Sequence, residues 1–573
     1  MTNAEIAARL ELVADLLEFQ GANPFRIRAY RNGARAIHDL AEPVESVLAD
    51  PERHLTDIQG IGKDLAQKVA DLVETGRLAI LDELLEEIPE SVLAILRVPG
   101  LGPKKAAALF RELGIHTLDQ LRVACETGQV RTLKGFAAKT EKAILENIDI
   151  ASEADKRTYW AIADEIVQKL LAHFRECESV ERIEAAGSYR RGKETVGDLD
   201  FLALADDATA VMDHFAAFPG IGKTLLRGDT KMSIRLEVGI QVDLRVVPAE
   251  SFGAAMQYFT GSQAHNVVLR GMAKARGLKI NEYGVFRGDE QIAGDDEAGV
   301  YAALDLPCFP PELREARREF DWAAAGGLPE LIELKDLCGD LHCHSTWSDG
   351  MNTIEEMAAA AKALGHSYLA ITDHSKRVAM AGGLDEDQLL RQWEEIDRIN
   401  ETLKGFRLLK GVEVDILEGG GLDLGDDVLA QGDWIVASVH YGQNQSRERI
   451  TQRVVEALEN PHVCALGHPT GRLLNRRKPY EIDMEAVFRA AADNGKLLEL
   501  NAHPKRLDLD DLACASAKHY GVPVVISTDA HIIEGLSALR YGVLQARRGG
   551  LTKDDVANTR TWPQLKKMIG GKR

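Results

Sequence analysis

From residue 338 onward the chain repeats one pattern seven times: an apolar run ends in or near a His, Asp or Glu, and a helical stretch follows. The runs are GDLHCHSTWSDG (339–350), YLAITDHS (368–375), FRLLKGVEVDI (406–416), WIVASVHY (434–441), CALGHPTG (464–471), LLELNAHP (497–504) and VVISTDAH (524–531). Strands alternating with helices predict a parallel sheet closed into a barrel, and such barrels carry their working groups at the C-terminal strand ends. Ten of the sixteen histidines lie after residue 337. Seven strand ends converging on one mouth supply imidazole and carboxylate donors suited to Zn²⁺, Mn²⁺ or Fe²⁺. The donors are too many for one ion, so a cluster of two or three metals is expected; such a cluster lowers the pKa of bound water and clamps a phosphate. His366, His462 and His519 read as ordinary helix or loop histidines.

The whole chain, at 573 residues, has room for three to four domains of roughly 150 residues each. Its 90 acidic and 69 basic residues give a net charge of −21, so binding to nucleic acid needs local basic patches or bridging cations. An apolar run of about 18 residues, the length a membrane span needs, is not found. The opening MTNAEIAARLELVADLLEF reads as an amphipathic acidic helix, not a targeting peptide. Seven scattered cysteines without a Cys-x-x-Cys pair fit a reducing cytoplasm.

Residues 1–150 read as all-helical, broken by Gly-rich turns. IQGIGKDLAQKVADLV (58–73) and VPGLGPKKAAALFREL (98–113) repeat one theme, Gly-x-Gly between an apolar residue and an Ala-rich helix. The glycines at Gly60, Gly62, Gly100 and Gly102 let backbone N–H groups approach a phosphate at a helix start. Each turn resembles the helix-hairpin-helix module, which grips DNA backbone without reading bases. A weaker third copy, LKGFAAKTEKAILENI (133–148), has Ala137 in place of the second glycine. PFRIRAYRNGARAIH (24–38) is a local basic patch in which Arg28, Arg31 and Arg35 share one helical face, with Tyr30 placed to stack on a base or sugar.

Residues 151–318 change to mixed α/β. In AAGSYRRGKETVGDLDFLALA (185–205) the apolar run is a strand, so Asp198 and Asp200 point to one side. In VGIQVDLRVVP (238–248) Asp243 stands on the polar face of a half-buried strand. Three aspartates on neighbouring strands make a site for two hard divalent cations, completed by triphosphate oxygens. GSYRRG offers Ser188, Arg191 and backbone N–H groups to that phosphate.

The order Gly-Ser-x-Arg-Arg-Gly, then Asp-x-Asp, then Val-Asp-Leu-Arg, then YFTGSQAHNVVLR (258–270) resembles the palm of the family X DNA polymerases. The resemblance implies Mg²⁺ or Mn²⁺ on the catalytic Asp198, Asp200 and Asp243. It implies a sugar pocket lined by Tyr258, Phe259 and Gly261, Asn266 facing the incoming base, and Arg270 on the template-side minor groove. Gln263 departs from the acidic residue that polymerase beta carries there. In the lyase domain of eukaryotic members a lysine eight residues after the first hairpin glycine attacks abasic sugar; that position is Lys68, whose pKa would have to be lowered for the task. HCHSTWSDG with STDAH resembles the PHP metal-dependent phosphoesterases. The matching positions are His342, His344, Asp349, His374, Glu413, His440, His468, Asp529 and His531, with Glu413 as the bridging ligand. His503 is left out because the family pattern tends to carry Asn at that place.

The expected architecture is therefore multidomain. A helical lyase-like region (1–90) and a fingers-like helix-hairpin-helix region (91–150) precede a nucleotidyltransferase palm and thumb (151–318). A linker (319–337) then leads to a (β/α)7-type PHP barrel (338–573). The expected protein is a cytoplasmic monomer that uses dNTPs to fill gapped or nicked DNA in base excision repair. It also trims 3′ ends as a 3′–5′ exonuclease, with cleavage at abasic sites and removal of blocked 3′ ends as further activities. Two rivals remain: a small-ester phosphatase in which only the PHP half works, and a non-catalytic DNA-end binder.

Overall fold

The seven runs of the C-terminal region form seven strands, most of them short β-branched or aliphatic stretches buried on both faces, which a parallel sheet covered by helices requires. A computed structural model describes all residues except 2, 39, 41–43, 52, 59, 97, 99, 100, 154–156 and 571–573. The chain divides into two units, Met1–Arg157 and Thr158–Arg573.

In the second unit five palm strands come first: β1 (Val180–Ala185), β2 (Asp198–Ala205), β3 (Ile221–Arg227), β4 (Lys231–Leu236) and β5 (Gln241–Val247), in the order β1-β2-β5-β4-β3. The β2–β5 pair is parallel and places Asp200 directly across from Asp243. Phe201, Ala203, Val242 and Leu244 bury the opposite face against the helix Trp160–Phe174 and its neighbours. A three-stranded antiparallel sheet of Lys279–Asn281, Gly284–Arg287 and Glu290–Ala293 follows, packed with the helix Gln263–Ala275.

The barrel strands are β6 (Gly339–Asp340), β7 (Tyr368–Ile371), β8 (Arg407–Asp415), β9 (Trp434–Ser438), β10 (Ala465–Leu466), β11 (Leu497–Asn501) and β12 (Val524–Ser527), all parallel and neighbours in chain order. A bridge between Cys343 and Ala530 joins the extensions of the first and last, completing the ring. Helices start at designed ends: Thr353 and Glu356 form a capping box at Ile354–Ala363, as do Asp385 and Gln388 at Glu386–Thr402.

The segment expected as a linker is packed. Arg314 is buried and bound to the carbonyl of Phe309 and to Glu297; Glu319 is buried against His265 and the backbone N–H groups of Ala316 and Arg317. Leu331 pairs with Thr552 as a β-bridge. Its charged and alanine residues, with those just before it, go into buried ion pairs and a short helix, Glu319–Ala324.

The first unit is helical throughout its described residues apart from turns. Gly62 and Gly102 cap the helices Lys63–Thr75 and Pro103–Leu113, and both helices end on left-handed glycines, Gly76 and Gly114. Tyr30 is 3% exposed and its ring lies beneath the Lys68 ammonium, so it belongs to the core rather than to a stacking surface. Among the described residues no helix is long and apolar enough to cross a membrane.

Candidate active sites

At the barrel mouth Glu413, near the end of β8, is the hub. Its Oε1 lies 3.0 Å from His468 Nε2 and 3.4 Å from His440 Nε2; its Oε2 lies 2.8 Å from His374 Nδ1 and 3.5 Å from His342 Nε2. Asp529 Oδ1 stands 3.1 Å from His344 Nε2 and 3.7 Å from His342 Nε2. Asp349 Oδ1 is 3.4 Å from His531 Nε2 and 3.7 Å from His374 Nε2. All nine expected ligands thus meet. Three groups can each hold an ion: His344, Asp349, His374 and His531; His342, His344 and Asp529; His374, Glu413 and His440. His344 and His374 belong to two groups each, so adjacent ions would share a wall. His468 and Asp529 take positive φ of 27° and 56°, a strained backbone concentrated at the strand ends that carry the ligands.

The chemistry of this set fits cations. His342 Nε2, His344 Nδ1, His374 Nδ1 and Glu413 Oε2 are buried without a hydrogen-bond partner, although His374 Nδ1 and Glu413 Oε2 lie within contact distance. Lone pairs aimed together without a proton between them are what an ion satisfies. Burial would raise the Glu413 carboxyl, but the imidazoles of His440, His374 and His342 outweigh it and hold it well below the usual range. Burial would lower His440, yet Glu413 and Asp415 lift it to about 10. Burial, with His374 and His531 beside it, pushes His344 down to about 3.

Sequence reasoning missed the supporting layer. Glu499, in the middle of β11, is buried and accepts from His342 Nδ1 at 2.7 Å, Ser527 Oγ at 2.9 Å and the His468 backbone N–H at 2.6 Å. Asp415 accepts from His440 Nδ1 at 2.9 Å, and Asn501 donates to Asp529 Oδ2 at 3.1 Å. In LLELNAHP the eye goes to His503, which is only half-buried; the period of two along β11 points Glu499 and Asn501 to the same side. Arg506 Nε, in the loop after β11, approaches Asp529 Oδ2 at 3.4 Å.

In the palm, Asp198 and Asp200 lie on β2, with Asp243 on β5. Ser233 Oγ and Gln241 Nε2 donate to Asp243, the latter at 2.9 Å. Burial, then the charges of Asp198 and Asp243, push the Asp200 carboxyl up to about 7, with Arg245 and Arg191 opposing. Carboxylates crowded until one holds its proton call for a cation. Gly187 (φ +64°) lets the loop lie against Asp200, since a Cβ there would sit 2.4 Å from Oδ2.

The loop Gly187–Gly192 meets the segment 258–266. Arg190 donates to Thr260 Oγ1 at 2.8 Å, and the Arg191 guanidinium reaches the Thr260 carbonyl and, at 3.1 Å, Glu315 Oε1. Ser188 is half-buried on that loop. Tyr258 and Phe259 pack edge to face, and Arg245 covers the Phe259 ring. Gly261 follows at φ +69°. Asn266 is nearly buried, bound to Gln257 and the Tyr258 carbonyl, and Arg270 is exposed on the next helical turn with Nε on the Asn266 carbonyl.

In the first unit Gly60 (φ +103°) turns the hairpin, and nothing stands within 4 Å of where a Cβ on Gly62 or Gly102 would lie. Gly100 lies outside the described residues, as does the side chain of Arg35. Arg31 is bound to Asp15 and Glu18, and Arg28 to the Pro24 carbonyl. Lys68 pairs with Asp64; burial lowers its pKa, but the Asp64 hydrogen bond and Tyr30 outweigh it and leave it raised, opposite to what a lysine nucleophile needs.

Family models match in four places: helix-hairpin-helix domain (1–78), SAM-like helix-hairpin-helix tandem (92–149), DNA polymerase beta thumb (255–315) and PHP domain (340–503). The DNA polymerase/3′-5′ exonuclease PolX of Bacillus subtilis (strain 168) is 40% identical over 573 residues, 99% of each chain. This chain belongs to the PolX family of DNA polymerases. DNA polymerase lambda of Rattus norvegicus is 26% identical over 55% of this chain and 56% of its own, and a probable phosphatase, Teth514_1060, of Thermoanaerobacter sp. (strain X514), is 30% identical over 38% of this chain and 89% of its own. As a PolX-family polymerase the chain acts on DNA, and its two acid-rich centres match a metal-dependent chemistry.

Proposed function

We propose that this chain fills short gaps in damaged DNA and trims 3′ ends, as a cytoplasmic monomer in base excision repair. Asp198, Asp200 and Asp243 would hold the ions of the filling site, which would supply the activation of the primer 3′-hydroxyl. Ser188 and Arg191 neutralise the dNTP triphosphate. Tyr258, Phe259 and Gly261 line the sugar pocket. Arg270 faces the template. Asn266, bound to Gln257 and Tyr258, acts by shaping the pocket wall behind the base. Gly60, Gly62, Gly100 and Gly102 grip the backbone of the flanking strands, and Arg28, Arg31 and Arg35 add positive charge for DNA.

When bound, Mg²⁺ or Mn²⁺ in the palm activates the 3′-hydroxyl and offsets phosphate charge, and two or three Zn²⁺, Mn²⁺ or Fe²⁺ ions in the barrel lower the pKa of water and polarise a phosphodiester. His342, His344, Asp349, His374, Glu413, His440, His468, Asp529 and His531 would hold the latter, with Glu413 as the shared ligand. Glu499 and Asp415 fix the tautomers of His342 and His440 so that each presents Nε2. Arg506 is placed to take a strand phosphate. Action at abasic sites and blocked 3′ ends belongs to this same centre. Lys68, held protonated by Asp64, is not assigned a lyase role.

The observation that carries this reading is the register of Asp200 against Asp243 beside the Gly187 loop, together with the nine side chains, Glu413 among them, gathered at the barrel mouth. On gapped DNA with Mg²⁺ or Mn²⁺, Asp243→Asn should abolish extension and spare trimming. His342→Ala with His344→Ala should do the reverse. Loss of both activities in both variants would defeat the assignment of two centres. The likeness to a probable phosphatase favours a second reading, a phosphomonoesterase working through the barrel alone; release of phosphate from a small ester without any extension of gapped DNA would select it.

A further inference from the structure

The helix Leu539–Arg548, between β12 and the C-terminus, runs along the palm loop that carries Ser188 and Arg191. At its start Arg540 NH1 lies 2.9 Å from Asp164 Oδ2, and the other oxygen of Asp164 accepts from Tyr189 OH at 2.6 Å. Five residues on, Gln545 Nε2 donates to the Gly192 carbonyl at 2.9 Å. Leu544 fills the space where a Cβ on Gly192 (φ +67°) would sit, 2.4 Å from its Cγ. At the end, the buried guanidinium of Arg548 donates from NH1 to the Arg191 carbonyl at 2.7 Å and to Glu315 Oε1 at 3.0 Å, and from NH2 to Asp511 Oδ2 at 2.6 Å.

Glu315 Oε1 is therefore shared. It accepts from Arg548 and also from Arg191 Nε at 3.1 Å, the side chain that would have to turn to a triphosphate. A buried carboxylate deprived of its cation is costly, so Arg191 can leave Glu315 only if another cation stays behind. Arg548 is the cation hydrogen-bonded there, with the Lys193 ammonium farther off at 4.0 Å. The other carboxylate partner of Arg548 among the described residues, Asp511, is also bound by Arg317 at 3.1 Å, so both acids keep a cation when Arg191 moves.

The geometry points to Arg548 as a positioning residue for nucleotide incorporation, holding the loop backbone from the barrel side and keeping Glu315 paired so that Arg191 is free to bind the incoming triphosphate. This rests on the reading of Gly187–Gly192 as the triphosphate grip. The barrel thus does more than trim: one of its helices completes the filling site.

The test is steady-state extension of gapped DNA by the full chain, with dNTP-free trimming measured alongside. Arg548→Met should raise the KM for dNTP by about tenfold or more, with kcat within about threefold and trimming unchanged, since Glu315 would then compete for Arg191. Arg548→Lys, which keeps the charge but loses the forked geometry, should fall between. Adding Glu315→Gln to Arg548→Met should bring KM back toward the parent value, because the competing carboxylate is gone. Arg547→Ala, one residue away and paired with Glu312 instead, should leave KM unmoved. An unchanged KM in Arg548→Met, a raised KM that Glu315→Gln does not relieve, or joint loss of extension and trimming in both Arg548 variants would each overturn the proposal. A parent chain that trims but never extends would instead bring down the assignment of the acidic triad, and this proposal with it.

Discussion

Glu499 grips His342: its Oε1 lies 2.7 Å from the imidazole Nδ1, both side chains are fully buried, and the same carboxylate reaches the His468 backbone through its other oxygen. One residue thereby orients ligands from two strands. Replacing it with Gln keeps the shape and removes the charge that steadies the imidazole. Glu499→Gln should weaken metal-dependent trimming about 10- to 100-fold at limiting metal, partly recoverable at high metal, and leave extension of gapped DNA intact. A metal titration of both activities checks it.

Gly187→Ala should damage extension far more than trimming. The new Cβ would meet Asp200 Oδ2 at 2.4 Å in a left-handed backbone that disfavours it. We expect a loss of about tenfold or more in kcat/KM for dNTP. Equal loss of both activities would point to misfolding rather than to a displaced Asp200.

The filling site should be acid-sensitive in its metal affinity. Asp200 must lose its proton before a cation binds, and its carboxyl is pushed up to about 7. Below that pH the proton competes, so apparent Mg²⁺ affinity should fall up to about tenfold per pH unit; well above it the proton is already gone and the affinity should level off. Mg²⁺ titrations of extension between pH 6 and 9, values on the order of the stated pKa, would reveal the slope, and a flat profile would contradict it.

Lys68 should be a poor nucleophile. It is paired with Asp64 and its pKa lies above the ordinary lysine value. Borohydride trapping on DNA with a 5′ abasic sugar should yield little adduct at neutral pH, and Lys68→Ala should not reduce it. An adduct mapped to Lys68 would reverse this.

Removing metal should loosen the barrel. Buried imidazoles and carboxylates that share ions when loaded are left with unmatched lone pairs when stripped. Ligand binding to the folded state stabilises it by mass action, so chelation should lower the unfolding temperature of Thr158–Arg573, and Zn²⁺ or Mn²⁺ should restore it.

The order of motifs along the chain was enough to determine the seven-stranded barrel, the palm strand carrying Asp198 and Asp200, and the nine side chains that meet at the barrel mouth, because period and strand-end position are local properties that any one segment displays. Local text failed where meaning depends on a distant partner. Tyr30 reads as a stacking aromatic until helix packing buries it under Lys68. The stretch 319–337 reads as a linker until Glu319 finds its buried counterpart at His265. Glu499 is one more acid in an apolar strand until β6 brings His342 to it, 157 residues away. Arg548 carries no motif at all. Which charge neutralises which, and which loop a helix supports, is settled only by tertiary contact, since the desolvation that makes a buried charge seek a partner does not exist before the chain closes around it.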